Sequence, residues 1–237
     1  MRHGLLKGTY YFGGVDDSKG PLAEASFLNQ SSEVSLKLGF ASQEYLKDHT
    51  TWGLGGRYVF ESSKVFLDFD YINKGVTYVD GREVIIDSGD FGFGGYITDT
   101  ATLSLSYSTN QNDRQYPSHD IGSNTIALDY KQLLMFEHQR SLNLHSLLAV
   151  TDYREDSDYV GMVKLGADYY FNNQFSTGLE YTHFGDNEAN DTNRFTLNST
   201  YFMNNTFAFY GKLSKTVLSD NDDVDITSIT FGIKTRF

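Results

Sequence analysis

Apolar and polar residues alternate with a two-residue period in one segment of this chain after another. Between Ala101 and Ser108, Leu103, Leu105 and Tyr107 share one face, while Thr102, Ser104, Ser106 and Ser108 share the other. Between Ser32 and Phe40, Val34, Leu36, Leu38 and Phe40 oppose Ser35, Lys37 and Gly39. From Thr51 to Phe60, Trp52, Leu54, Tyr58 and Phe60 oppose Gly53, Gly55 and Arg57, and Val65, Leu67, Phe69 and Tyr71 oppose Asp68 and Asp70 in the segment after it. Successive side chains of an extended strand point to opposite faces, so each segment is predicted to be a strand with one greasy and one hydrophilic face. Further segments with strand character run from Leu5 to Phe12, Phe91 to Ile97, Asn124 to Leu133, Leu142 to Tyr153, Tyr159 to Phe171, Phe175 to Phe184, Arg194 to Phe202, Phe207 to Val217 and Ile226 to Phe237. The count is about thirteen strands. No apolar stripe at helical spacing is long enough to cover a sheet, which argues against α/β classes.

The connections alternate between short and long. Glu61-Ser62-Ser63, Thr98-Asp99-Thr100, Asn172-Asn173 and Asn204-Asn205 read as tight turns, with Asn supplying the positive φ of two-residue hairpins. Longer polar connections are expected at Gln43 to Thr50, Lys74 to Asp87, Thr109 to Asp120, Gly185 to Asn193 and Leu218 to Asp225. Short turns at one end and long loops at the other are the asymmetry of outer-membrane barrels. Aromatic residues gather at strand ends, as in Tyr169, Tyr170, Phe171 and Phe175, and in Tyr201, Phe202, Phe207 and Phe209, in the manner of an interfacial girdle. A soluble β-sandwich with an aromatic core is the alternative, but strands of the 9–11 residues that a tilted span needs favour the membrane.

Composition agrees. Tyr 17, Phe 18 and Gly 22 against Pro 2 suit strands joined by tight turns. A net charge of -12 argues against nucleic acid, whose phosphates need clustered Lys and Arg. The absence of cysteine excludes disulfides and thiolate metal sites. Mean hydropathy is -0.41 and no stretch reaches the length of a transmembrane helix, yet barrel strands keep a polar average because only alternate residues meet lipid. One domain, residues 1–237, is expected, since no Pro- or Ser-rich linker divides the chain. Met1-Arg2-His3-Gly4 is followed by no apolar signal core, so a secretion signal is expected to have been processed away or cut off.

The last segment places Ile229, Phe231, Ile233, Thr235 and Phe237 on one face and Ser228, Thr230, Gly232, Lys234 and Arg236 on the other. A terminal Phe closing an alternating strand resembles the signal by which outer-membrane proteins are recognised for assembly, so Phe231, Ile233, Thr235 and Phe237 are the candidate signal. At the other end, Gly8-Thr9-Tyr10-Tyr11-Phe12, Val15-Asp16-Asp17 and Gly20-Pro21-Leu22-Ala23-Glu24-Ala25-Ser26-Phe27-Leu28 resemble the porins of marine gammaproteobacteria. The likeness covers the N-terminal portion by motif and the remainder by architecture. It implies an outer-membrane β-barrel and passage of solutes, and it carries over no catalytic or ligand residues.

The expected fold is therefore an all-β, transmembrane, antiparallel up-and-down barrel of about 12–14 strands. Single-chain bacterial barrels have even strand numbers, so a count of thirteen implies either one upstream strand lost with the signal or a twelve-strand barrel whose first segment does not span. Gly13 to Gln30 is too long for an ordinary turn; Leu22 to Leu28 is read as a short helix or a lumenal tuck, with plain extended structure as the alternative.

Charges on a lipid face cost about 2–4 kcal/mol near the midplane, so charged strand residues must look inward. The pore-lining candidates are Lys37, Arg57, Asp68, Asp70, Asp129, Lys131, Lys164, Asp168, Glu180, Arg194, Lys212, Lys234 and Arg236. Mixed sign favours polar solutes over strong ion selectivity. The acidic run Asp220-Asn221-Asp222-Asp223-Val224-Asp225 lacks the Gly and distal Glu of an EF-hand and reads as a solvated loop, with loose divalent-cation binding beside lipopolysaccharide as a hypothesis. His145 and Ser146 are adjacent on a strand and point to opposite faces, which excludes direct base–nucleophile contact, while His49, His119, His138 and His183 sit in loops or at strand ends. Gly53-Leu54-Gly55-Gly56 and Gly92-Phe93-Gly94-Gly95 lie inside strands with no following helix, so they ease curvature rather than cradle a dinucleotide.

The expected function is passive diffusion of small hydrophilic solutes across the bacterial outer membrane, without enzymatic activity or a cofactor. The alternative is a non-conducting barrel with a structural or adhesive role through its loops. Expected partners are outer-membrane lipid and lipopolysaccharide, the barrel-assembly machinery and small polar solutes, with a monomer favoured over a trimer because no long constriction loop is evident.

Overall fold

In the computed structural model the structure describes residues 2–43, 46–78, 83–114, 122–153, 159–185, 191–218 and 225–236. Thirteen strands follow one another in chain order: β1 (Arg2–Phe12), β2 (Ser32–Gln43), β3 (Leu46–Phe60), β4 (Val65–Tyr78), β5 (Glu83–Thr98), β6 (Ala101–Arg114), β7 (Ser123–Met135), β8 (Ser141–Tyr153), β9 (Tyr159–Tyr170), β10 (Phe175–Gly185), β11 (Thr192–Phe202), β12 (Phe207–Leu218) and β13 (Asp225–Arg236). Each pairs antiparallel with its sequence neighbour, and β1 pairs with β13 to close the barrel. Every backbone donor and acceptor along a strand needs a partner where water is excluded, and closure supplies one without leaving long edges.

The closing pair is parallel, through Leu6↔Ile233, Lys7↔Lys234, Gly8↔Thr235 and Thr9↔Arg236. β1 and β13 both run toward the short-turn end, and a parallel ladder is only slightly weaker per residue than an antiparallel one. The odd number therefore closes by itself, which corrects the expectation that an even count was required.

Side-chain alternation decides the faces. Leu36, Leu38, Phe40, Phe93, Leu105, Leu179 and Phe231 are among the large apolar residues on the outer wall, and Phe231 is 73 % exposed. A contiguous apolar surface on this scale is incompatible with a monomer in water. Outward aromatic pairs band the turn end, with Tyr10 against Phe12, Tyr58 against Phe60, and Tyr169, Phe171 and Phe175 in a row; Trp52–Tyr71 and Tyr181–Phe195 lie further up the wall.

The strands run longer than alternation alone predicts. β4 and β5 pair out to Thr77↔Glu83, and β5 and β6 out to Val84↔Arg114, so most of the segment read as a loop from Lys74 to Asp87, and the part of Thr109 to Asp120 up to Arg114, is ladder. Backbone pairing continues where the side chains are polar on both faces, because the ladder needs partners and not an apolar pattern. The acidic run from Asp220 to Val224, His119 and Phe237 lie outside the described residues.

The Asn turns also differ from expectation. Neither Asn172 nor Asn204 has positive φ. Instead the Asn172 side-chain oxygen accepts from the backbone N–H groups of Gln174 and Phe175 (2.8 and 2.9 Å), and Asn204 does the same for Thr206 and Phe207 (2.8 Å each). The side chain itself mimics a turn of backbone. Left-handed residues occur at Lys64 (φ 57), His138 (φ 62) and Gln139 (φ 60), in the β3–β4 and β7–β8 turns.

Residues 13–31 fold back into the barrel from the turn end. They form a 3₁₀ turn at Asp17–Lys19, another at Leu22–Glu24, and the single-turn helix α1 (Ala25–Leu28). Asp16 caps the first of these: its carboxylate accepts from the Ser18 N–H and Oγ–H, which holds its pKa below the usual range. Between the helical and the extended reading of Leu22 to Leu28, the short helix prevails, tucked inside.

Candidate functional site

Polar and charged side chains converge in the barrel interior, because every second residue of every strand must point there. Lys37, Arg57, Asp68, Asp70, Asp129, Lys131, Lys164, Asp168, Glu180, Arg194, Lys212 and Lys234 all stand at inward positions of the register. Arg236 pairs with Thr9 at an inward position, and its side chain is outside the described residues.

Several of these residues are brought together. Lys37 Nζ lies 2.5 Å from Asp70 Oδ2, reaching past β3 at Gly55, which leaves the path open. Arg57 forks onto Asp68 through Nε (2.6 Å) and Nη2 (2.8 Å), with its guanidinium carbon 4.1 Å above the Phe66 ring. Such bidentate geometry fixes the pair in one orientation. Across the barrel, Lys164 Nζ stands 3.8 Å from Glu180, His145 Nε2 3.6 Å from Glu180, and His145 Nδ1 3.8 Å from Asp168, which also accepts from Asn143 at 3.2 Å. Gly166 and Gly178 make this cluster possible: a methyl group at Gly166 would collide with the His145 ring, and one at Gly178 with the Asp168 carboxylate. These glycines provide room for neighbours, a role beyond the curvature expected of strand glycines. Arg194, Lys212 and Lys234 join no ion pair among the described residues. Arg194 donates to Thr216 Oγ1 (3.1 Å), and Lys234 lies 5.0 Å from the Tyr210 ring.

The turn end of the interior is filled by the folded-in segment. Glu24 is buried and accepts from Lys131 Nζ (2.5 Å) and Tyr170 OH (2.6 Å). Phe27, three residues on, packs into a cluster with Val59, Phe66, Tyr96, Leu133 and Tyr170, and Lys131 Nζ lies 4.4 Å over its ring. Leu22 joins Phe202 and Ala208, and its N–H donates to the Asn173 carbonyl at 2.8 Å. Burying Phe27 and Leu22 contributes roughly 1.5–3 kcal/mol each. The Glu24 carboxylate tolerates burial because an ammonium and a phenol satisfy it.

The sequence reading left Glu24, Phe27, His145 and Tyr170 off the candidate set. A signal for the plug was present: Phe66, Tyr96, Leu133 and Phe202 are apolar residues at inward positions beside short turns, out of phase with the polar inner face. An apolar residue on the wet face needs an apolar partner inside.

Chemically, the interior can hold solutes by charge and hydrogen bonding. Ser146 faces outward opposite Tyr130, away from His145, and among the described residues no cluster of His, Asp and Glu has a geometry able to hold a metal ion.

No protein-family model matches the sequence, and no curated protein matches it at a significant level. Among solved structures, the chain is similar to the crystal structure of the Acinetobacter baumannii outer membrane protein Omp33, with a TM-score of 0.65, 20% sequence identity, and coverage of 97% of this chain and 88% of that one. The likeness is one of fold: a closed all-β barrel.

Proposed function

We propose that this chain is an integral β-barrel of the bacterial outer membrane and a passive channel for small hydrophilic solutes, held closed at its turn end by residues 16–30. The observation that carries this reading is the pairing of an apolar outer wall with an inner wall of Lys, Arg, Asp and Glu inside a closed cylinder. In water the outer face would have no partner, and in lipid the charged face could point nowhere else. The strands have 11–16 residues, enough for a tilted crossing. Thirteen strands fall between the filled eight-stranded barrels and the wide porins, so a narrow lumen is the physical expectation. Short turns face the periplasm and loops the exterior, outer-membrane lipid and lipopolysaccharide surround the wall, and the β13 face with Phe231, Ile233 and Thr235 engages the assembly machinery. The fold likeness to Omp33, a protein of a Gram-negative outer membrane, supports the location. The resemblance of the N-terminal motifs to porins of marine gammaproteobacteria stays part of the proposal, as does a monomeric state.

A second reading, a non-conducting barrel with a structural or adhesive role, draws support from the filled turn end. Planar-bilayer recording separates the two. Discrete current steps, rare in the intact chain and frequent once residues 16–30 are replaced by a short Gly-Ser turn, support the channel. A folded, inserted barrel that passes no current in either form overturns it.

A further inference from the structure

Lys7 and Lys234 stand directly opposite one another across the β1–β13 seam, on the inner face. Like charges in register repel and weaken a strand pair, and among the described residues four pairs close this seam. The adjoining lysine in the same row, Lys37, is neutralised by Asp70, whereas neither Lys7 nor Lys234 has a carboxylate partner among the described residues. Of the inward carboxylates, Asp168 is engaged by Asn143 and His145, and Glu24 by Lys131 and Tyr170. Two ammonium groups thus stand together at this parallel seam with no carboxylate at ion-pair distance among the described residues.

Space for one is adjacent. Lys7 and Lys234 line a half-open recess of about 250 Å³ between the wall and the folded-in segment. Thr9, Ser26 and Thr200 bring hydroxyls to it, and Leu22, Ala23 and Phe202 give it an apolar side. Glu33 also lines it and disfavours a second negative charge on the ligand.

We propose that this recess binds a small organic monocarboxylate. Its carboxylate bridges the Lys7 and Lys234 ammonium groups and accepts from the neighbouring hydroxyls, while its short hydrocarbon lies against Leu22 and Phe202. Charge-assisted hydrogen bonds to both lysines would remove the repulsion across the seam, so the ligand would also stabilise barrel closure. This site stands whether or not the barrel conducts.

The test uses the full chain, folded in an uncharged detergent and titrated with sodium butyrate by calorimetry, with sodium chloride at equal ionic strength, inorganic phosphate and butylammonium chloride as controls. Saturable butyrate binding, accompanied by a rise in Tm that none of the controls produces, is the expected result. The double variant Lys7→Gln/Lys234→Gln should weaken binding at least tenfold. Ala23→Phe fills the recess from the plug side without touching either lysine and should abolish binding; heat-modifiable gel mobility verifies that each variant is folded. Butyrate binding no better than chloride or phosphate overturns the proposal, and so does undiminished binding to either folded variant. Should the double variant fail to fold, Ala23→Phe decides alone.

Discussion

The two halves of the barrel interior obey the same alternation and end up with opposite chemistry. Toward the turn end, inward positions carry Phe66, Tyr96, Leu133, Tyr170 and Phe202, packed around Phe27 and Leu22 of the folded-in segment. Higher up, inward positions carry Ser, Thr, Gly and the paired charges Lys37–Asp70, Arg57–Asp68 and Lys164–Glu180. The lower half is a small hydrophobic core, stabilised by burial and sensitive to lost volume. The upper half is a solvated wall whose ion pairs, partly exposed, contribute little to stability and much to the local field. Strand parity thus decides only that a residue looks inward; what it meets there decides what it does.

The sharpest way to break the contrast is to remove the lower core. Replacing residues 16–30 with a short Gly-Ser turn should leave a folded barrel with a permanently open turn end, seen as a large rise in bilayer conductance; unchanged conductance would mean that the segment is not the barrier. Phe27→Ala should cost the docked segment about 3–5 kcal/mol, because its aromatic pocket cannot collapse. Hydrogen exchange of residues 21–31 should accelerate accordingly, while the strands above stay protected. Glu24→Gln should loosen the same segment by about 1–3 kcal/mol through the unpaired Lys131 it leaves, again read by exchange.

In the upper half, Arg57→Gln should change Tm little, since exposed and half-exposed ion pairs contribute about 0–1 kcal/mol. It should nevertheless move the reversal potential in a KCl gradient toward cation selectivity by freeing Asp68; equal selectivity in the two proteins would put the Arg57 charge outside the ion path. The smallest effect is expected outside both halves, at the turn pair Lys64–Asp99 (2.6 Å). The hydrogen bond and charge of Lys64 hold the Asp99 carboxyl below its usual pKa. Whatever this pair adds to stability is present above the ordinary carboxylate range and is lost as pH falls through the lowered value. Asp99→Asn should therefore unfold slightly below wild type from pH 7 to 5 and converge with it as pH falls through the lowered carboxyl value; a difference that persists or grows in more acid solution would contradict the assignment.

Much of this architecture was legible in the residue order. Alternation in segments such as Ala101–Ser108 set the strands and their faces, and Asn172 and Asn204 marked turns, although by side-chain acceptance and not by the positive φ expected. Inward placement of the charged residues followed from parity alone. Which charges would meet was not legible: Lys37 reaches Asp70 across an intervening strand only because Gly55 leaves room, and His145 meets Asp168 and Glu180 only where Gly166 and Gly178 do the same.

The sequence by itself determined local alternation, turn positions and therefore a two-faced sheet, because side-chain direction along a strand depends only on the residue count. Only the tertiary structure decided that thirteen strands close through a parallel seam, that residues 13–31 enter the interior, and that Lys7 comes to face Lys234. These depend on register and on contacts between residues as many as 228 positions apart, and no local pattern encodes which distant partner relieves a buried charge or fills an apolar gap.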